Sequence, residues 1–236
     1  MINLRRANDR GHADRGWLKS HFTFSFADYH DPAHMGFRAL RVINDDRIAP
    51  GKGFGPHAHR DMEIMTYVLE GKLLHRDSMG QQHVLGPNEI QMMSAGTGVV
   101  HSEYNASATE PVHGFQIWIL PGAEDLEPSY QQIGFAPEEK RGRLRLLAAP
   151  EMIGNQAMTV IHQDVRIYVA ELGVNETIQQ PFDPKRHAWL QVVRGAIALN
   201  GQVLTEGDAA AVSGEEKLSF TGSAPAGGEF LLFDLV

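Results

Sequence analysis

Two short motifs place nitrogen and oxygen donors two residues apart in the chain. His57 and His59 form a His-x-His pair, and His101 and Glu103 form a His-x-Glu pair after a glycine-rich stretch. On a β-strand, residues i and i+2 point to the same face, so each motif would present two donors together. Two such pairs on neighbouring strands could supply four ligands to one divalent transition metal, with coordination positions left open for substrate.

The same residues could also be ordinary polar side chains, and the sequence helps to separate the two interpretations. One His-x-His pair alone is equally compatible with two polar residues on an exposed strand. Two pairs, each beside glycine-rich turn sequence, favour metal binding. The chain has no cysteine, which excludes thiolate ligands, a cysteine nucleophile and disulfides, so histidine nitrogen and carboxylate oxygen must hold the ion.

Glu63 is a further carboxylate near the first motif. It shares strand parity with His57 and His59, so it would lie on the same face. Three roles stay open: a direct ligand, an acceptor from an imidazole N–H of a ligand, or a structural carboxylate.

Short apolar runs separated by turn residues predict an all-β protein that positions these motifs. The clearest strand candidates are 22–26, 64–69, 115–120, 189–193 and 230–235. Helical pieces are predicted only near 124–132 and 137–141, where prolines keep them short. This proline-bearing segment is the expected connection between domains.

The two halves of the chain align with each other. Residues 63–71 match 187–195, each an apolar strand that ends in glycine, and 85–90 match 204–209. The second half has a tighter hairpin, because Asn200-Gly201 fits a two-residue type I′ turn, whereas 76–83 forms a longer polar loop. The repeat predicts a metal-binding domain at 1–135 and a second domain at 136–236.

Composition excludes several classes of function. The 236 residues carry a net charge of −8, which disfavours direct nucleic-acid or anionic-membrane binding. The polar N-terminus has no apolar signal region, and no stretch approaches the length of a membrane span. A folded cytoplasmic protein is expected.

The motifs resemble those of the pirin family within the cupin superfamily, notably its bacterial quercetinase-like members. The resemblance lies in His57-x-His59-Arg-Asp-Met-Glu63, in Val68-Leu-Glu-Gly71 and in Ser94-Ala-Gly-Thr-Gly98-x2-His101-Ser-Glu103. It implies a bicupin of two double-stranded β-helix (jelly-roll) barrels, with one divalent metal in the N-terminal barrel. Iron(II) is expected, and copper, nickel, cobalt, manganese or zinc would also fit.

The resemblance also implies the metal ligands, namely His57, His59, His101 and Glu103. The general cupin scheme would instead use Glu63. In the second barrel the alignment puts Pro181 and Asp183 on the positions of the two motif-one histidines, and Phe220 and Gly222 on those of His101 and Glu103. These residues do not form a ligand set, so the second barrel is expected to bind no metal.

Three histidines and one carboxylate on a six-coordinate ion would leave two positions, enough for a substrate oxygen and O2. The resemblance adds the substrate class: flavonols such as quercetin, cleaved by 2,3-dioxygenation with release of carbon monoxide. Glu103 would act as the catalytic proton acceptor. Apolar walls could come from Phe54, Met62, Met92 and Phe115, each of which is equally compatible with ordinary core.

Two other functions stay open at this point. The metal could be structural or redox-sensing in a binding module that acts through a protein partner, as the resemblance to eukaryotic pirins allows. The site could also perform a different metal-dependent reaction, such as an isomerisation. The histidines outside the motifs lack paired spacing and are interpreted as surface or hydrogen-bonding residues.

Overall fold

The computed structural model describes residues 1–154 and 157–236. This part of the chain is built from β-strands, with two short 3-10 helices at Ala7–Asp9 and Pro137–Glu139 and no α-helix. A search of the same residues finds no helix that is long and apolar enough to cross a membrane. The prediction of an all-β protein is confirmed.

The strands of the first half are β1 Ile2–Arg5, β2 Gly11–Asp14, β3 Leu18–Phe22, β4 Leu40–Ile48, β5 Gly53–His59, β6 Glu63–Glu70, β7 Leu73–Asp77, β8 Gln82–Leu85, β9 Glu89–Ser94, β10 Val99–Asn105, β11 Val112–Ile119 and β12 Ser129–Gly134. Those of the second half are β13 Arg145–Ala149, β14 Thr159–Val160, β15 Val165–Leu172, β16 Thr177–Pro181, β17 His187–Leu199, β18 Gln202–Thr205, β19 Ala209–Ser213, β20 Lys217–Gly222 and β21 Gly228–Leu235.

The chain divides into two compact units. The N-terminal unit comprises Gly11–Phe135 and Gly154–Gln163, and the C-terminal unit comprises Met1–Arg10, Ala136–Ile153 and Asp164–Val236. The predicted ranges 1–135 and 136–236 differ from these units in two short segments: residues 1–10 belong to the C-terminal unit, and residues 154–163 belong to the N-terminal unit. The first ten residues belong to the C-terminal unit because β1 pairs with β19.

In the N-terminal unit, two antiparallel sheets surround the interior. The larger has the strand order β12-β9-β6-β11-β4-β3-β2, and the smaller has the order β5-β10-β7-β8. Apolar side chains fill part of the space between them in two clusters, one around Leu18, Val68 and Leu85 and one around Ile64 and Met93.

The C-terminal unit is also antiparallel. Its main path runs β1-β19-β17-β21-β15-β13, and β16 pairs with β20, which also pairs with the end of the long strand β17. One continuous cluster of buried apolar side chains, including Leu190, Phe220 and Phe230, fills this unit.

Most predicted strands are present, and one predicted turn is confirmed. Asn200 and Gly201 have φ of 45° and 83°, as a tight turn with two positive φ values requires. The predicted loop 76–83 is shorter than expected, because β7 and β8 extend into it. The alternation at 22–26 does not continue as a strand: β3 ends at Phe22, and the chain turns at Ala27, whose φ is 49°.

The two predicted helical pieces have different outcomes. The one near 137–141 exists as the short 3-10 helix Pro137–Glu139. The one near 124–132 is wrong, because its second half belongs to β12, which pairs along its whole length with β9 at the edge of the larger sheet. The long-range backbone pairing there overrides the local sequence preference.

Candidate metal centre

The two histidine motifs lie on neighbouring strands, as predicted. Strand β5 carries His57 and His59, and β10 carries His101 directly opposite His57, while Val99 lies opposite His59. The ring centroids are 4.4 Å apart for His57 and His101, 4.8 Å for His59 and His101, and 4.9 Å for His57 and His59. One nitrogen from each ring lies within 4.8 Å of the other two, which suits three ligands of one ion.

The glycine content of the first motif has a steric reason. At Gly53, a Cβ atom would overlap the backbone of Glu103 and Tyr104 on β10. The close approach of the strands therefore requires glycine. It allows the imidazoles of β5 to reach the face on which His101 lies.

The chemistry of the imidazoles fits a metal ion. The Nε2 atoms of His59 and His101 are buried and have no hydrogen-bond partner among the described residues. Burial, together with the neighbouring imidazoles, lowers the pKa of His59 to about 4 and that of His101 to about 2. Both rings are therefore neutral at pH 7 and keep a lone pair, as a metal ligand must.

The third ring is oriented by the backbone. His57 Nδ1 lies 2.8 Å from the carbonyl oxygen of Gly55. Since a carbonyl only accepts, Nδ1 must donate, which leaves the Nε2 lone pair of His57 available for a ligand. The three histidines are therefore suited to hold one metal ion, which would satisfy the unpaired Nε2 atoms of His59 and His101.

Glu103 is buried beside the histidines, at 1% exposure. Gln116 Nε2 donates to one of its carboxylate oxygens at 2.7 Å and Thr66 Oγ1 lies 3.4 Å from the other. Burial raises the pKa of Glu103 to about 7, while the bonds from Gln116 and Thr66 oppose that shift. One Glu103 oxygen and one nitrogen each from His101 and His75 lie within 4.8 Å of one another. This second cluster shares only His101 with the triad, so the carboxylate lies next to the triad through His101.

Glu63 contacts other residues. Ser94 Oγ donates to Glu63 at 2.6 Å, and the backbone N–H and ring Nδ1 of His162 each lie 3.3 Å from its oxygens. These contacts lie within the N-terminal unit but involve none of the three clustered histidines. Of the three roles left open by the sequence, the geometry favours a structural carboxylate.

His75 is the residue near the site that the sequence analysis missed. Of the two predicted roles, a surface residue is wrong, because His75 is fully buried on β7, beside β10, whereas a hydrogen-bonding residue is confirmed. Its Nδ1 lies 3.5 Å from His101 Nδ1, and its Nε2 lies 3.0 Å from Asp77 Oδ2. A signal was present in the sequence, because His75-x-Asp77 has the same i, i+2 spacing as the metal motifs.

A cavity of about 410 Å³ opens beside the triad and includes His57, His59 and Glu103 in its walls. Aromatic side chains supply much of its apolar surface, namely Trp17, Phe22, Phe26, Phe54 and Trp118. This volume is in the range of ligand sites for small molecules.

Of the four predicted wall residues, Phe54 lines the cavity. Phe115 lines a separate space of about 20 Å³. Met62 packs beside the cluster of Ile64 and Met93, and Met92 is ordinary buried core. The aromatic residues contributed by β3 and the following turn were missed, because only the fold brings them to β5.

The described residues of the second barrel include no comparable group. Among the described residues, every cluster of histidine and carboxylate ligand atoms that could hold a metal lies in the N-terminal unit. A duplicated antiparallel barrel with a histidine triad in one copy defines a metal-binding bicupin.

Comparison with known proteins gives the family. The Pirin family model matches residues 3–119, and the model for the quercetinase C-terminal cupin domain matches residues 146–235. The chain is 46% identical over 235 residues to quercetin 2,3-dioxygenase of Escherichia coli strain K12, covering 100% of this chain and 99% of the relative. The chain belongs to the pirin family.

Solved structures show the same fold. The crystal structure of YhhW from Escherichia coli superposes with a TM-score of 0.94 at 46% identity, covering 100% of this chain and 98% of the other. The bacterial pirin YhhW in complex with nickel(II) gives a TM-score of 0.92, also at 46% identity, with coverage of 100% and 99%. The bicupin prediction is thereby confirmed.

Proposed function

We propose that this protein is a metal-dependent dioxygenase that cleaves flavonols such as quercetin by 2,3-dioxygenation, with release of one ring carbon as carbon monoxide. The observation that carries the proposal is the histidine triad with unpaired, neutral nitrogens at the wall of an aromatic cavity. The family supports the same reaction, because a relative 46% identical over its whole length is named quercetin 2,3-dioxygenase.

We assign His57, His59, His101 and Glu103 as the ligands, and iron(II) as the expected ion. Nickel(II), present in the complex of a similar pirin, is the first alternative, because imidazole and carboxylate ligands suit both metals. When bound, such an ion supplies Lewis-acid chemistry, which lowers the pKa of a substrate hydroxyl and leaves positions for substrate and O2.

Glu103 has the properties of a general base for the flavonol 3-hydroxyl. Its carboxylate lies beside His101 and in the wall of the cavity, so a hydroxyl group bound there is within its reach, as a general base requires. Gln116 and Thr66, on the paired neighbouring strands β11 and β6 of the larger sheet, fix the carboxylate. The proton therefore moves to a positioned oxygen inside the protein.

The cavity walls perform binding and exclusion of water. Trp118 lies edge-on to His59, with ring centroids 4.9 Å apart, and Phe54 lies 6.3 Å from His57. Flat aromatic substrates gain contact area and favourable ring geometry against such walls. A substrate bound against these walls would displace water from the triad, which strengthens the electrostatic interactions of the site.

The direct test is an anaerobic titration of iron(II)-loaded protein with quercetin, followed by visible absorbance and then exposed to air. Binding should shift the flavonol spectrum, and air should consume one O2 and release one carbon monoxide per quercetin, as the reaction requires. Headspace gas analysis and an oxygen electrode measure both quantities. Binding without turnover would instead support a metal-containing binding module.

A further inference from the structure

Two polar side chains of β4 line the cavity without a role in holding the metal. Asn44 and Asp46 stand two residues apart, so they face the same side of the strand, and both line the space beside the triad. They are 3% and 8% exposed, respectively. Burial of polar groups costs free energy unless they are hydrogen-bonded, so the side chains of Asn44 and Asp46 are both expected to have hydrogen-bond partners.

Asn44 lacks a partner for its side-chain oxygen. The Oδ1 atom is buried and makes no hydrogen bond to any described residue. Buried acceptors are normally satisfied, because a missing bond leaves the full cost of desolvation. An unsatisfied acceptor in a ligand cavity indicates that a ligand donor completes it.

The carboxyl of Asp46 lines the same cavity and is also incompletely hydrogen-bonded. Ser20 Oγ donates to Asp46 Oδ1 at 2.5 Å, and no cation pairs with this carboxyl among the described residues. Burial raises the pKa of Asp46 to about 7. The adjacent Asp45 points to the other face of β4, where His113 Nε2 lies 2.8 Å away. The carboxyl on the cavity side is thus the one left for a ligand.

We propose that Asn44 and Asp46 form a subsite that recognises hydroxyl groups of the substrate, so that the cavity selects polyhydroxylated aromatic rings over the same rings without hydroxyls. A phenolic O–H donates to Asn44 Oδ1, and a second hydroxyl bonds to Asp46. A site built to bond a hydroxyl discriminates strongly against an analogue that lacks it. This inference rests on the proposed function, whose substrate class it makes more specific.

The test compares quercetin with 3-hydroxyflavone, which keeps the 3-hydroxyl and 4-keto groups but lacks the other hydroxyls. Dissociation constants are measured by calorimetry on zinc-loaded protein under nitrogen, where no turnover occurs. The parent protein should bind quercetin at least about tenfold more tightly, the scale of one buried hydrogen bond. Asn44→Leu and Asp46→Asn should weaken quercetin binding and leave 3-hydroxyflavone binding unchanged.

Asp45→Asn is the matched control, because it changes the same residue type on the opposite face of the same strand. It should keep the preference for quercetin. If Asn44→Leu does not fold, as circular dichroism would show, Asn44→Ser replaces it. Equal affinity of the parent for both ligands, or a preference that survives in both cavity variants, overturns the subsite.

The outcome separates the subsite from the reaction. A protein that prefers quercetin through Asn44 and Asp46, but does not turn it over with iron(II) in air, keeps the subsite and refutes the dioxygenase. If the protein turns over both flavonols and binds quercetin and 3-hydroxyflavone with equal affinity, the dioxygenase proposal stands and the subsite is refuted. Absence of binding by either flavonol refutes both.

Discussion

The two units use the same antiparallel strand plan but fill its interior differently. In the N-terminal unit, β5 and β10 place His57 opposite His101. In the C-terminal unit, β16 and β20 place Ile178 opposite Phe220 and Pro181 opposite Lys217. The aligned positions Pro181 and Phe220 are therefore not opposite each other, and the described residues of this unit include no group of ligand side chains that could hold a metal.

The side chains that fill the interiors of the two units also differ. Apolar side chains fill the C-terminal unit, where Phe220 stacks on Phe230 with ring centroids 4.9 Å apart. The N-terminal unit has a cavity with buried polar groups in its wall, among them Glu103, Asn44 and Asp46. A continuous apolar core stabilises a fold, whereas buried polar groups cost stability until a ligand or metal satisfies them. The comparison indicates that the second copy fills its interior with apolar side chains, whereas the first copy keeps a cavity with buried polar groups for the site.

The largest expected effect on metal binding comes from removing the first motif. His57→Ala together with His59→Ala removes two of the three clustered imidazoles, so metal content should fall from about one ion per chain to almost none. Elemental analysis of purified protein measures it. The double variant His12→Ala and His30→Ala, which changes two exposed histidines, should keep its metal. Unchanged occupancy after loss of the motif would contradict the site, and two ions in the parent would contradict the difference between the units.

The next effect separates the two candidate carboxylates. Glu103→Gln should lower turnover by about 10²-fold when the protein is metal-replete, because the variant lacks the general base. Glu63→Gln should keep metal and turnover and lose only stability, since Glu63 bonds to Ser94 and His162. Steady-state kinetics with metal analysis of each sample decides between them. Loss of metal in Glu63→Gln, with full retention in Glu103→Gln, would establish the general cupin scheme instead.

A smaller effect is expected from His75. Asp77 accepts from His75 Nε2, so His75 Nδ1 can accept from His101 Nδ1, which leaves the lone pair of His101 Nε2 free for a metal ion. His75→Leu should weaken metal binding by about 10- to 100-fold, the usual scale for a group that orients a ligand. Competition with a chelator gives the affinity, and His83→Leu, a change to an exposed neighbouring histidine, is the control. Equal metal affinity in His75→Leu and the parent would exclude this role.

The smallest effect on the metal is predicted for the C-terminal core. Phe220→Ala leaves a cavity in the apolar cluster and should lower the free energy of unfolding by about 3–5 kcal/mol, with no change in metal content. Thermal or denaturant unfolding measures the loss, and Val203→Ala, at a 52% exposed position of the same unit, should be nearly neutral. A loss of metal from folded Phe220→Ala would show that the two units are not divided in this way.

The sequence by itself determined the all-β fold, the duplication and the two ligand-bearing pairs. These features depend on strand periodicity and turn chemistry, which act over a few residues: His57 and His59 must share a face on any strand. The tight turn at Asn200-Gly201 is predictable for the same reason, because only a few residue types tolerate its positive φ values.

Only the tertiary structure decided which groups surround those pairs. Glu63 and Glu103 have equally suitable spacing in the sequence, but the register of β6 against β9 brings Glu63 to Ser94, while β10 brings Glu103 to Gln116 and His101. His75 and Asn44 reach the site across strands distant in sequence. Register and burial depend on contacts between distant segments, which side-chain periodicity within one strand does not specify.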